Sequence, residues 1–312
     1  MPDDEFSLIE QYFSGLDAGG SVELGVGDDC AILRLETGER LVTSVDTQVD
    51  GVHFPPGTPP QHVAFRAVSA AVSDLAAMGA RPLGMTLAVT LPQADAAWLA
   101  LFREGLAAAV SEYSLPLVGG DTTRGPLCLS VQVMGAVPVG KAIKRSGAQV
   151  GDTLCVSGYL GDGAGGLAVL EGRWQPGHPH AAYLEQRFYR PRARVALGRQ
   201  LRDYATAAID VSDGLLADIG HMAAASGVGV RLEPDSVPLS AALLSHDNKD
   251  TALRWALAGG DDYELCFCLP GGHEPPAGAA CIGEVVAGEG VDCGDDIDIV
   301  SGYQHFSASA PR

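Results

Sequence analysis

The 312-residue sequence carries 39 acidic against 20 basic side chains, a formal net charge of -19, with 46 % hydrophobic and 19 % charged residues. That composition supports folded domains rather than a disordered chain, and the length asks for two of them. The acidic field disfavours nucleic acid and anionic membrane surfaces, and it repels a small anionic ligand too unless metal ions intervene.

The opening Met1-Pro2-Asp3-Asp4-Glu5 is acidic where a secretory signal needs a basic region. No apolar run escapes interruption long enough to span a bilayer; the best one is broken by Arg66, Asp74 and Arg81. The seven cysteines include no C-x-x-C pair, and Cys128, Cys155, Cys266 and Cys268 sit in strand-like runs. Reduced core cysteines in a cytoplasmic protein are the expectation.

In chain order, Val22-Glu23-Leu24-Gly25-Val26 alternates as a strand and ends at Gly27-Asp28-Asp29, and Leu41 to Val45 reads as a strand ending at Asp46. The alanine-rich stretch His62 to Met78 predicts a helix stopped by Gly79. A strand follows over Met85 to Leu91. Asp95 to Ser111 predicts a helix with Trp98, Leu99, Phe102, Leu106 and Val110 along one side. Leu115 to Val118 is a short strand before Gly119-Gly120-Asp121, and Leu127 to Val137 another. Ser-Gly-Ala-Gln-Val-Gly near Arg145 to Gly151 marks a boundary, dividing the chain into domains over 1–145 and 146–312. Beyond it come the strand Thr153 to Val156, a glycine-rich turn, the helix Gly165 to Leu170, a polar stretch from Arg173 to His180 and a helix near Arg192 to Tyr204. The strand Ala207-Ala208-Ile209 runs into Asp210, the helix Leu215 to Ala225 follows, and Glu264 to Leu269 and Ala280 to Val286 are late strands. The pattern predicts two α/β or α+β domains of similar size.

One event recurs along this order: a short apolar strand ends, small residues follow, and an aspartate appears. It happens at Asp28/Asp29, Asp46, Asp121, Asp210/Asp213 and Asp261/Asp262. Strand ends in layered α/β folds are where ligands bind. A single such aspartate is equally at home as a turn residue or a helix cap. Asp74 is different, because it sits inside a helix that is apolar almost all round, above Ala67, Ala70 and Ala71. A buried carboxylate needs a cation, a proton or a metal, so metal ligation is the preferred reading and pairing with Arg66 or Arg81 the alternative. Ligands that are all oxygen select a hard cation such as magnesium, which usually accompanies phosphates.

Two phosphate-loop patterns fail on context. Gly135-Ala-Val-Pro-Val-Gly140-Lys141-Ala142 lacks the closing Ser or Thr and has no helix after it. Gly161-Asp-Gly163-Ala-Gly-Gly166 is a lone dinucleotide-type match, better read as a glycine turn that packs closely or brings backbone near a phosphate. Nor is there a His-Arg-Asp or Asp-Phe-Gly set of a protein kinase.

As an ordered set, the motifs resemble the thiamine-monophosphate kinase family, within the superfamily of aminoimidazole ribonucleotide synthetase and selenophosphate synthetase. The stretches that carry the resemblance are Glu5-Phe-Ser-Leu-Ile9, Gly25-Val-Gly-Asp-Asp-Cys-Ala31, Ser44-Val-Asp-Thr47 with Gly51-Val-His-Phe54, Ser73-Asp-Leu-Ala-Ala-Met-Gly-Ala80, Gly119-Gly-Asp-Thr-Thr-Arg-Gly-Pro126, Arg145-Ser-Gly147, Ile209-Asp-Val-Ser-Asp-Gly214 and Gly259-Gly-Asp-Asp-Tyr-Glu-Leu265. The resemblance implies a two-domain aminoimidazole ribonucleotide synthetase-like fold, with an N-terminal dimerisation and metal/nucleotide-binding domain and a C-terminal α/β domain completing an active-site cleft. It implies ATP-dependent phosphorylation of thiamine monophosphate to thiamine diphosphate, with several Mg²⁺ ions, in a cytoplasmic homodimer.

Carried over by position, the resemblance puts magnesium at Asp29, Ser44, Val45, Asp46, Asp74, Asp121, Asp210 and Asp213, and Asp28 joins that set as the partner of Asp29. Val45 stands where the family often has threonine, so its contact is through the backbone carbonyl. Gly120, Asp121, Arg145 and Ser212 match nucleotide positions; His53, Asp261 and Tyr303 match thiamine-contacting ones. Asp261 replaces a common glutamate with a shorter arm. Asp46, Asp74, Asp121 and Asp210 are the residues expected to carry catalysis. Phosphoryl transfer needs charge neutralisation and alignment, and the acceptor is an ionised phosphate monoester, so direct transfer without a phosphoenzyme is expected. The alternatives are another ATP-dependent synthetase of the superfamily, for which Cys30 reads as strand core rather than a reactive thiol, and a non-catalytic metal-binding protein.

Overall fold

The computed structural model describes residues 5–294, with side chains from Ser7 onward. In chain order its elements are α1 (Glu5–Tyr12), β1 (Val22–Leu24), β2 (Ile32–Leu33), β3 (Glu39–Val49), α2 (Pro60–Ala77), β4 (Arg81–Leu91), α3 (Ala96–Tyr113), β5 (Leu117–Arg124) and β6 (Cys128–Pro138). They continue with β7 (Thr153–Val156), α4 (Asp162–Leu170), α5 (His178–Tyr189), α6 (Val195–Leu201), β8 (Ala207–Asp210), α7 (Leu215–Ser226) and β9 (Gly229–Leu232). The last are α8 (Ala241–Leu244), α9 (Lys249–Ala258), β10 (Leu265–Leu269), β11 (Ala280–Val286) and β12 (Gly290–Asp292). The chain forms two compact units: residues up to Ala142 with Val195–Gln200, and Ile143–Arg194 with the chain from Leu201 onward.

The first unit holds a four-stranded sheet in the order β3-β6-β4-β5, antiparallel except for the parallel pair β4 and β5. Val131, Val133, Met85, Leu87 and Val89 point to one face and are buried; α2 and α3 cover it. Pro60 opens α2 where a missing N–H costs nothing. Gly79, at φ +67, closes it as the residue that takes the left-handed turn. Asp95 caps α3 by accepting from Ala97 N and Trp98 N at 2.8 and 3.2 Å. Apolar residues buried on both helices explain why sequence periodicity found these two so readily.

The second unit holds a six-stranded sheet in the order β12-β9-β11-β7-β10-β8, antiparallel except for β12 beside β9. Leu154, Val156, Ile209, Cys266, Cys268 and Ile282 pack on α7 through Leu215, Ile219 and Met222. The glycine turn serves packing. An added Cβ at Gly163 would stand 2.5 Å from Asp261 O, and one at Gly166 would stand 2.3 Å from Leu184 O. A largely antiparallel sheet also removes the parallel framework that a dinucleotide-type loop requires.

Several boundaries differ from the sequence reading. β3 and β5 run past the expected ends, so Asp46, Gly119, Gly120 and Asp121 lie inside strands rather than after them. α4 begins at Asp162, three residues early, and α5 occupies ground read partly as a polar stretch. α5 buries only Leu184 and Phe188, too thin a stripe for periodicity to reveal. Cys30 is exposed and lies outside any strand, not in a strand core. Among the described residues no helix is long and apolar enough to cross a membrane.

Candidate functional site

In the first unit a cavity of about 870 Å³ collects part of the expected set: Asp28, Asp29, Gly120 and Asp121 line it, with Phe13, Leu41 and Met134 among its apolar walls. Asp28 is fixed by the backbone N–H of Asp29, which donates to its Oδ1 at 2.8 Å. The strand register aligns Asp121 with Ala88, Ser130 and Thr47 across the sheet. At Gly120, an added Cβ would meet Leu87 O at 1.9 Å, so only glycine lets β5 run this close to β4.

A second group forms on the helix side of β3, the edge strand. Ser44 and Asp46 are paired with the buried Val133 and Val131, so alternation turns them toward α2. There the Ser44 hydroxyl donates to Asp74 Oδ2 at 2.5 Å. Asp74 is half-buried rather than wholly enclosed, the opening in an otherwise buried helix face. The alternative partner Arg81 is engaged elsewhere, on Glu39 at 2.9 and 3.0 Å. Val45, between Ser44 and Asp46, is 61 % exposed and faces the other way. His53 follows in the turn after β3, where its Nδ1 accepts from Val49 N at 3.0 Å, leaving Nε2 as the protonated nitrogen of the neutral ring.

The second unit brings two loops together. Asp210 is the buried last residue of β8, with Ser212 and Asp213 just beyond it. Asp261 N–H donates to Ser212 O at 2.9 Å, Tyr263 N–H to Val211 O at 2.8 Å, and Val211 N–H to Glu264 O at 2.8 Å. Asp261, expected apart from the metal positions, is thus a backbone neighbour of Ser212. Asp261 and Tyr263 both adopt left-handed backbone, at φ +62 and +53, which costs non-glycine residues roughly 1 kcal/mol or more each. The Tyr263 hydroxyl donates to Asp261 Oδ1 at 3.1 Å and holds the strained side chain. Arg145 belongs to this unit and is exposed, its carbonyl accepting from Ser226 Oγ at 3.1 Å. Tyr303 lies outside the described residues.

Three buried carboxylates support these loops; the sequence reading assigned Asp218 and Glu264 no role and named Asp262 only beside Asp261 in the recurring aspartate pattern. Asp218 accepts from Ser212 N and Asp213 N at 3.0 and 3.2 Å. Burial, then the charge of Asp213, raises its pKa to about 7 against the opposing backbone bonds. Asp262 accepts from Gly161 N and Gly163 N at 2.7 and 3.0 Å, so the glycine turn spends those donors internally. Glu264, with no exposure, takes Ser157 Oγ at 2.5 Å, Arg187 Nη2 at 3.1 Å and Arg194 Nε at 2.6 Å. The signal for Asp218 was present: an acid inside the apolar run Leu215-Leu216-Ala217-Asp218-Ile219, the same irregularity that singled out Asp74.

The polar groups lining the first-unit cavity and those around Asp74 are dominated by carboxylate and hydroxyl oxygens, the donor set of a hard divalent cation. Among the described residues no three His, Cys, Asp or Glu side chains are gathered as a metal site. Asp28, Asp29 and Asp121 on the cavity wall, and Asp74 with Ser44, supply oxygens of the kind that a hard divalent cation would use.

The chain matches the family model "AIR synthase related protein, N-terminal domain" over residues 27–137 and "AIR synthase related protein, C-terminal domain" over residues 149–264. It is 46 % identical to the thiamine-monophosphate kinase of Salmonella typhimurium, covering 97 % of this chain and 98 % of that protein. Its likeness to the Caulobacter vibrioides thiamine-monophosphate kinase is 40 % over 93 % of this chain and 86 % of that one. Among solved structures, thiamine-monophosphate kinase from Stenotrophomonas maltophilia aligns at 42 % identity with a TM-score of 0.83, covering 88 % and 91 % of the two chains. AaThiL, described as complexed with AMPPCP and TMP, aligns at 32 % identity with a TM-score of 0.81 over 97 % of each. The hydrogenase maturation protein HypE, at 20 % identity and a TM-score of 0.72, shares the fold. With both domain models matched in order and close relatives aligned from end to end, this chain belongs to the thiamine-monophosphate kinase family.

Proposed function

We infer that the protein transfers the γ-phosphoryl group of ATP to thiamine monophosphate, giving thiamine diphosphate and ADP. The observation that carries this is the end-to-end alignment with a kinase whose structure holds an ATP analogue and thiamine monophosphate, at 32 % identity over 97 % of both chains.

In this reading Asp28, Asp29, Ser44, the Val45 carbonyl, Asp46, Asp74, Asp121, Asp210 and Asp213 hold Mg²⁺. When bound, the metal neutralises phosphate charge and offsets the repulsion from a chain of net charge -19. Gly120, Asp121, Arg145 and Ser212 contact the nucleotide, and Arg145 adds a fork of donors suited to phosphate oxygens. Asp261, backed by Tyr263, faces the cationic thiazolium, with His53 Nε2–H and Tyr303 as further contacts. The acceptor phosphate is already ionised, so these residues position it and no strong general base is needed; the transfer is direct.

The working form is a cytoplasmic homodimer joined through the N-terminal domain. The exposed Val45, on the sheet face turned away from α2, supports that pairing. Incubating the purified protein with ATP, Mg²⁺ and thiamine monophosphate, then separating products by chromatography, tests the activity. Thiamine diphosphate is expected, and its absence overturns the assignment. A phosphorylated residue trapped in a single turnover would overturn direct transfer.

A further inference from the structure

Two cysteines of the second unit face each other across the sheet. The antiparallel ladder between β7 and β11 sets Cys155 opposite Cys281, so both side chains project from the same face. Their sulfurs are 3.2 Å apart. Opposed residues in an antiparallel pair have Cα atoms about 4.5–5.5 Å apart, within the roughly 4.4–6.8 Å span that a disulfide bridges. Closing the sulfurs to a bond of about 2.0 Å then asks for side-chain rotation rather than strand movement. The register shifts immediately after Cys281, before Gly283, and such an irregularity gives the strand local slack.

The two thiols are not equivalent. Cys281 is exposed and Cys155 buried. Burial, followed by the hydrogen bond with Cys281, pushes the Cys155 thiol well up from its ordinary pKa. Cys281 is therefore the sulfur that an external reagent meets, and Cys155, held 3.2 Å away, resolves the product by proximity although its raised pKa slows that step.

We propose that Cys155 and Cys281 form a paired-thiol modification site, oxidised to an intramolecular disulfide by a low-molecular-weight disulfide. The Cys281 thiolate attacks one sulfur of the reagent, forming a mixed disulfide and expelling one thiolate, which takes up a proton. Cys155, its proton lost to solvent, attacks Cys281 Sγ and expels the second thiolate, which is protonated in turn. Two protein thiols are oxidised and one reagent disulfide is reduced to two thiols. None of the atoms involved belongs to the proposed kinase site.

The folded protein is incubated with glutathione disulfide, alkylated, digested and mapped by mass spectrometry. The expected result is a peptide containing Cys155 cross-linked to one containing Cys281, with the free-thiol titre of the denatured protein falling by two. Cys281→Ser, a change at an exposed position, abolishes the cross-link, as does Cys155→Ala. As an independent probe, phenylarsine oxide, which bridges two thiols with release of water, binds the parent pair and is lost at this site in Cys281→Ser. A glutathione adduct on Cys281 that never resolves, or a Cys155 cross-link that persists in Cys281→Ser, overturns the proposal.

Discussion

Single side chains decide most of the proposed chemistry, and Asp74 is the most exposed to test. Its carboxylate sits at the one half-buried point of a buried helix face and receives the Ser44 hydroxyl at 2.5 Å. Asp74→Asn keeps the volume and removes the charge, so turnover is expected to fall at least about 100-fold, roughly 2.7 kcal/mol in the barrier. Circular dichroism and the thermal midpoint should stay near those of the parent. Ser44→Ala is the milder change, about tenfold, and the double variant should be no slower than Asp74→Asn alone if the two act as a unit. Tyr263→Phe deletes only the hydroxyl on Asp261. The expected outcome is a rise of about three- to tenfold in KM for thiamine monophosphate, about 1 kcal/mol, with KM for ATP unchanged. Equal rises in both would detach Asp261 from the thiamine end. Asp74 was legible because an acid in an apolar helix violates the pattern around it. Asp261 was legible only through its motif; its left-handed backbone and its tie to Ser212 depend on contacts between distant segments, which no local pattern encodes.

Between residue and domain, the elements show where sequence periodicity succeeds and where it stops. α2 and α3 bury a broad stripe, so their spacing announced them, whereas α5 buries two residues and stayed hidden. β5 ran longer than expected because glycines lower strand propensity; Gly119 and Gly120 are held in it by the ladder to β4. The start of α4 is the informative case for stability. Its first turn is capped from a distant segment by Asp262, whose two oxygens take Gly161 N and Gly163 N. A helix N-terminus favours a charged acid, yet complete burial outweighs it and raises the Asp262 pKa to about 8. The unfolded value is 3.8, so the folded state holds the proton more tightly. The stabilising contribution is complete below about pH 4 and is lost as pH rises toward 8. Asp262→Asn cannot ionise but loses one of two acceptors. It should be less stable than the parent by about 1–3 kcal/mol at the acid end, with the deficit narrowing as pH rises through that window. Thermal midpoints of both proteins, measured side by side across the range, check this. A deficit that widens with pH would show Asp262 to be ionised in the fold.

At the scale of the whole molecule, an acidic protein is proposed to bind two phosphorylated substrates, and that opposition has one testable resolution. With 39 acidic and 20 basic side chains, the average field repels ATP. Two remedies differ in kind. Added salt weakens the field everywhere, shortening the screening length from about 8 Å near physiological ionic strength to about 3 Å at 1 M. A divalent cation held by the aspartates of each unit instead places positive charge beside the transferring group. If the metal served only to screen, concentrated sodium chloride would replace it. The proposed reading expects otherwise, because carboxylate oxygens such as those of Asp121 and Asp74 are the ligands a small, highly charged cation takes and sodium does not replace. Removing divalent ions with a chelator should therefore abolish thiamine diphosphate formation at every sodium chloride concentration. Mg²⁺ or Mn²⁺ should restore it, and Asp121→Asn should raise the Mg²⁺ concentration required for half-maximal rate by about tenfold or more, the loss of about 1.4 kcal/mol of ion binding. Measured as initial rates against free Mg²⁺, recovery by salt alone would reduce the aspartates to a general field and remove them from the site.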